Sequence, residues 1–106
     1  MMAVDASVLR GLPARVIAEA TGAHPRTVER WRAGSRPRRT VYRARLDDLA
    51  AVLQILAEGV PPRARLTWLT SRSAHLGWRR PVAALASGEF DVVRGAALAY
   101  LSGDPV

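Results

Sequence analysis

Arginine is the residue through which this sequence is equipped to do chemistry. All 16 basic residues of the 106-residue chain are arginine, and none is lysine. GC-rich coding accounts for which basic residue is used, since alanine is abundant too, but not for where the charge sits. Residues 1–45 hold ten arginines against three acids, Asp5, Glu19 and Glu29, and so carry the whole net charge of +7; residues 46–106 hold six of each sign. A planar guanidinium matches a phosphate, or the edge of a guanine, with two parallel N–H bonds. A cationic first half therefore predicts a polyanionic partner, and a neutral second half predicts a different task.

Other chemistries lack their parts. With no cysteine there is no disulfide, thiolate metal site or cysteine nucleophile, and His24 and His75, the only histidines, are far too few for a zinc site. No nucleophile–base pair, metal cluster or phosphate-binding glycine loop is legible, so neither an enzyme nor a cofactor is expected. No apolar run reaches the length of a membrane span and no signal peptide opens the chain, so a cytoplasmic location is expected.

The elements that must position the arginines are helices. Alternating strand patterns are missing, which predicts an all-α fold. A short first helix is expected around Asp5 to Arg10. Pro13 suits the first turn of the next, whose stripe Val16, Ile17 and Ala20 ends at Gly22. Pro25 opens a further helix that Gly34 stops, with Val28 and Trp31 facing inward. Thr40 is expected to cap a long helix to about Glu58. Its positions Tyr42, Leu46, Leu49, Leu53 and Leu56, widened by Val52 and Ile55, form one seam: intramolecular core, or a dimer contact. Gly59 and Pro61-Pro62 end it. Shorter helices are expected over 62–72, 81–87 and 89–101, with a turn around Gly77 over 73–80. The boundary near residue 58 suggests two parts, 1–58 and 59–106.

The segment Ala14–Ala33 meets the requirements of a helix-turn-helix. Ala18 is the small residue where the helices touch, Gly22 the turn glycine, and Val28 and Trp31 the anchors six and nine residues further on. In such a motif the second helix enters the major groove, which turns His24, Arg26, Thr27, Glu29 and Arg30 outward. Arg26 or Arg30 suits a guanine, though phosphate contact is the commoner role of any one arginine. Arg36, Arg38 and Arg39 suit the backbone beside the groove. Arg43 and Arg45 sit where the helix dipole disfavours cations, so they serve either a phosphate or a solvated face. So small a DNA-binding unit is expected to act as a homodimer on double-stranded promoter DNA. With Ile17-Ala18, Gly22, Arg26-Thr27-Val28 and Arg30-Trp31, the segment resembles the Xre-like regulators.

The second half carries a tryptophan, Trp78, in a turn beside Gly77 and followed by Arg79 and Arg80. It is either a packing lid or a binding hot spot. The order Trp68-Leu69, Leu76-Gly77, Arg80-Pro81, Leu85, Gly88, Val93 and Leu101-Ser102-Gly103 resembles the C-terminal toxin-binding domain of Xre/MbcA/ParS-type antitoxins. Ser73 stands where that family often has asparagine, and Trp78 where a second glycine is common. The resemblance implies an antitoxin whose partner is a RES-domain toxin, an enzyme that consumes NAD. It also implies that the chain's last segment, Tyr100, Leu101, Ser102, Gly103, Asp104, Pro105 and Val106, covers the toxin's active-site entrance. Asp104 and the terminal carboxylate are then placed to meet cations that otherwise hold NAD phosphates. The competing reading is a stand-alone homodimeric helix-turn-helix regulator whose second half dimerises or senses a ligand.

Overall fold

The computed structural model describes residues 11–103, and within them all regular structure is helical. The helix expected around Asp5 to Arg10 and the tail residues Asp104, Pro105 and Val106 lie outside the described residues. In chain order the helices are α1 (Ala14–Thr21), α2 (Pro25–Arg32), α3 (Thr40–Leu56), α4 (Pro62–Thr70), α5 (Pro81–Ala86) and α6 (Phe90–Leu101), with a short 3-10 turn at Ala74–Leu76 before α5.

Most helix ends follow from proline and glycine. Pro25, Pro62 and Pro81 occupy the first helical positions of α2, α4 and α5, where a missing N–H costs nothing. Pro13 sits one residue earlier, as the cap of α1. Gly22 ends α1 in the left-handed conformation, φ +83°, with its N–H on the Ala18 carbonyl at 2.8 Å, a conformation that costs other residues a Cβ clash. Thr40 is not the cap of α3. Arg39 takes that place, Thr40 is the first helical residue, and no side chain caps the end. α3 also stops at Leu56, two residues short of the expected end, where the chain turns through Ala57–Gly59 to bury Val60.

One apolar core runs through both halves of the chain. α1 packs on α2, α3 and α5, and α3 packs on α6 as well. Ile17 of α1, Leu46, Leu49 and Leu56 of α3, Leu69 of α4, Leu85 of α5 and Val93 of α6 are all fully buried. The seam on α3 is therefore spent inside the molecule: Leu46, Leu49, Val52 and Leu56 are closed to solvent, with Tyr42, Leu53 and Ile55 half-buried against them. No helix among the described residues is long and apolar enough to cross a membrane.

Candidate functional site

The cationic face is built on α1 and α2. Ala18 is buried, and the Thr21 hydroxyl donates to the Ile17 carbonyl at 2.8 Å while accepting from the Ala23 N–H at 3.2 Å, which ties the turn between the two helices to α1. Val28 and Trp31 anchor α2 from beneath, and Trp31 meets Tyr42 of α3 edge-on at 5.6 Å, a geometry worth about 0.5–1.5 kcal/mol beyond burial. The opposite side of α2 is left to solvent. His24, Arg26, Glu29 and Arg30 are exposed and Thr27 is half-buried. His24 has a structural duty that spacing alone did not reveal. Its Nδ1 accepts the Arg26 N–H at 3.0 Å and caps α2, so only its Nε2 edge is left for a ligand.

The loop after α2 extends this cationic surface. Arg36, Arg38 and Arg39 are exposed, and the Arg39 guanidinium lies 5.7 Å from the centre of the Tyr42 ring, within cation–π range. Arg32 is turned back and donates to the Leu12 carbonyl. Arg43 is exposed, but Arg45 serves neither role expected of it. It is half-buried, stands 3.9 Å from Asp48 on its own helix, and presses its guanidinium against Gly88 beyond α5. Its Nε is buried without a hydrogen-bond partner. Burial, more than neighbouring Asp47 and Asp91, pushes the Asp48 carboxyl above its ordinary range despite Arg45.

The second face gathers on the turn between α4 and α5. The Ser73 N–H donates to the Arg79 carbonyl at 3.1 Å, the Trp78 N–H to the Ser73 carbonyl at 2.8 Å, and the Arg79 N–H to the Leu76 carbonyl at 3.3 Å. The buried Ser73 hydroxyl caps the 3-10 turn by accepting the His75 N–H at 3.2 Å. Gly77 and Trp78, at φ +64° and +67°, both lie in the left-handed region, the pattern of a type I′ turn, which favours glycine or asparagine. Trp78 thus occupies the backbone of a second glycine, at a cost of about 1–2 kcal/mol. It is 60% exposed, so it is not a packing lid.

The neighbouring arginines are matched by acids. Arg79 forms a two-pronged pair with Glu89 at 2.6 and 2.8 Å. This bond holds the Glu89 carboxyl below its usual range and raises Arg79. Arg80, at the cap of α5, pairs with Glu19 of α1, which joins this turn to the helix that supports α2. Arg72 donates to the Trp78 carbonyl at 3.2 Å.

Beside the turn lies a shallow cavity of about 320 Å³ along α4 and at the C-terminal end of α6, lined by Ala64, Thr67, Trp68, Ser71, Arg72, Ser73 and Tyr100. Tyr100, half-exposed, tilts against Trp68 at 6.1 Å. Leu101 turns inward, with its Cδ2 3.1 Å from where a Cβ on Gly59 would sit. The Ser102 hydroxyl donates to the Leu98 carbonyl, and Gly103 leaves the helix at φ +78°. Trp78, Arg79 and Arg80 are thus gathered on one turn, and Tyr100 on the cavity next to it. Arg72, Ser73 and Trp68 belong to this face and were missed from sequence. The hydroxyl-rich run Thr70-Ser71 before Arg72-Ser73 was the available signal, since such residues mark turns.

No family model matches the chain. Individual proteins do, and they define its class: it is an antitoxin of toxin–antitoxin systems. The mycobacterial cidal antitoxin MbcA, in Mycobacterium tuberculosis and Mycobacterium bovis, is 32% identical over 83 residues, covering 78% of this chain and 74% of the relative. A probable mycobacterial cidal antitoxin of M. tuberculosis is 35% identical over 79 residues, covering 74% and 66%. A chain in the crystal structure of the M. tuberculosis MbcT–MbcA toxin–antitoxin complex superposes with a TM-score of 0.78 at 30% identity, covering 99% of this chain and all of that one. The protein belongs to the MbcA antitoxin family, and so to the antitoxins rather than the enzymes.

Proposed function

We propose that this antitoxin neutralises a RES-domain, NAD-consuming toxin through its second half and binds its own promoter DNA through α1 and α2 as an autorepressor. The work divides near residue 58, with residues 1–58 serving as an Xre-like helix-turn-helix unit and residues 59–106 as the toxin-binding part. The observation that carries the reading is the superposition on a chain of a toxin–antitoxin complex over 99% of this chain. The toxin side uses Trp78, Arg79, Arg80 and the segment from Tyr100 to Val106, which lies across the active-site entrance of the toxin. Arg26 and Arg30 meet base edges or phosphates, with His24, Thr27 and Glu29 beside them, while Arg36, Arg38 and Arg39 hold the DNA backbone. Two copies read two half-sites.

Support for the DNA part lies in the exposure of His24, Arg26, Glu29, Arg30, Arg36, Arg38 and Arg39, five of them arginine, on α2 and its flanking loops in the strongly cationic half of the chain. The test is co-expression with the protein encoded by the neighbouring reading frame, followed by size-exclusion chromatography and measurement of cellular NAD. A co-eluting complex with NAD preserved supports the reading, and removal of residues 102–106 is expected to abolish protection. Full protection by the trimmed chain sinks the covering role of the tail. A homodimer that captures no partner yet shifts its upstream DNA favours a stand-alone regulator.

A further inference from the structure

Trp78 is held in a left-handed backbone, φ +67°, that glycine adopts freely and an indole-bearing residue adopts at a cost. The indole is the most exposed of the large apolar side chains among the described residues. The side chain is 60% exposed, and the turn is closed by backbone hydrogen bonds from Ser73, Trp78 and Arg79 that glycine would make equally well. A residue that weakens the free chain and contributes little to its core contributes its favourable contacts elsewhere. We propose that Trp78 is the anchor of the interface with the toxin, inserted into an apolar recess rimmed by carboxylates on that partner. The proposal rests on the antitoxin reading of the second half and adds which residue carries the affinity and what receives it.

Charge selects the kind of surface. Arg79 and Arg80 are already matched by Glu89 and Glu19. Among the described residues Arg72 has no carboxylate at ion-pair distance. It spends one N–H on the Trp78 carbonyl and keeps its other donors in solvent. The indole is therefore flanked by one unmatched guanidinium, which calls for an acidic rim around the recess. The same surroundings disfavour a nucleic acid strand stacking on the indole, since with Arg79 and Arg80 already matched a single guanidinium, Arg72, is left for a polyanionic backbone. Tryptophan and arginine are also the residue types that dominate interface energetics when their surroundings exclude water. Arg72 and Ser73 line the shallow cavity beside the turn, so the knob and the groove form one continuous surface.

Strain and binding can be separated by one substitution. Trp78→Gly relieves the backbone and removes the indole, whereas Trp78→Ala removes the indole and keeps a Cβ in the left-handed region. The experiment uses the full chain and the protein encoded by the neighbouring reading frame, with thermal unfolding of the free chain and calorimetric titration of the pair. Trp78→Gly is expected to raise Tm by about 5 °C and to weaken the complex about 30-fold. Trp78→Ala is expected to weaken it comparably with no such gain in Tm. An unchanged Kd for Trp78→Gly, with the unsubstituted complex intact, overturns the anchor alone. If the unsubstituted chain captures nothing, the antitoxin reading of this face fails and the anchor fails with it. Sedimentation supplies a further arm: if Trp78→Gly abolishes self-association and leaves the toxin complex unchanged, the indole serves a second copy of the chain and the proposal falls. Loss of DNA binding with the toxin complex unchanged overturns it in the same way.

Discussion

At the scale of single residues, the two faces depend on contacts that lie outside their own segments. Gly88 sits at φ +79°, and a Cβ there would come 2.8 Å from Nη2 of Arg45. Gly88→Ala therefore strains the backbone by about 1–2 kcal/mol and pushes Arg45 off Asp48. Tm is expected to fall by roughly 5–10 °C, and an unchanged melting curve would show that Gly88 does not hold the left-handed backbone in solution. Glu89 supports the Trp78 turn through Arg79, and its carboxyl is held below 4.5, first by that hydrogen bond. An acid whose pKa is lowered by folding stabilises the fold in its charged form. The contribution is present above pH 4.5 and is lost as pH falls through the lowered folded value. Below that window the turn should loosen, which indole fluorescence of Trp78 can follow. Glu89→Gln is expected to abolish the Glu89 part of this acid transition and leave the spectrum at pH 7 close to its low-pH form.

At the scale of elements, the helices were legible wherever their ends are written in backbone chemistry. Gly22, Pro25, Pro62 and Pro81 carry their conformational preference within themselves, so the bounds of α1, α2, α4 and α5 could be read within a residue or two. Thr40 failed as a cap because the path of the preceding loop, not the presence of a hydroxyl, decides which residue caps a helix. Arg45 was misread because its neighbour Gly88 is 43 positions away in sequence. The cavity of Trp68, Arg72, Ser73 and Tyr100 was invisible for the same reason, since it exists only once α4 and α6 meet. His24 shows the limit on the cationic face. Outward position marked it as a ligand contact, yet its ring caps α2. His24→Ala removes the cap and is expected to cost about 1 kcal/mol. His24→Ser keeps a capping oxygen while removing the imidazole. If the ring serves only as cap, the serine variant holds both Tm and affinity for the upstream DNA. If the ring also touches DNA, its Tm holds and its affinity falls.

At the scale of the whole molecule, the charge is divided between two halves but the core is not. α1 rests on α5 and α3 on α6, and Arg80 of the second half pairs with Glu19 of the first. That ion pair adds little energy, since both side chains are more than a third exposed; the apolar contacts decide. A fragment ending at residue 58 would lose Leu69, Val82, Leu85 and Val93, all fully buried. At about 1.5–3 kcal/mol for each buried side chain, the loss is about 6–12 kcal/mol, comparable with the entire stability of an ordinary domain, about 5–15 kcal/mol. The cationic half alone is therefore expected to melt without a cooperative transition and to show little helical signal by circular dichroism. The full chain should unfold in one step seen equally by far-ultraviolet signal and by tryptophan fluorescence, which samples Trp31 in the first half and Trp68 and Trp78 in the second. Two separate transitions, or a fragment that folds by itself, would show that the contacts between halves are weaker than their burial implies. A single transition means that whatever the second half binds changes the stability of the α1–α2 face as well, because both stand on the same buried residues.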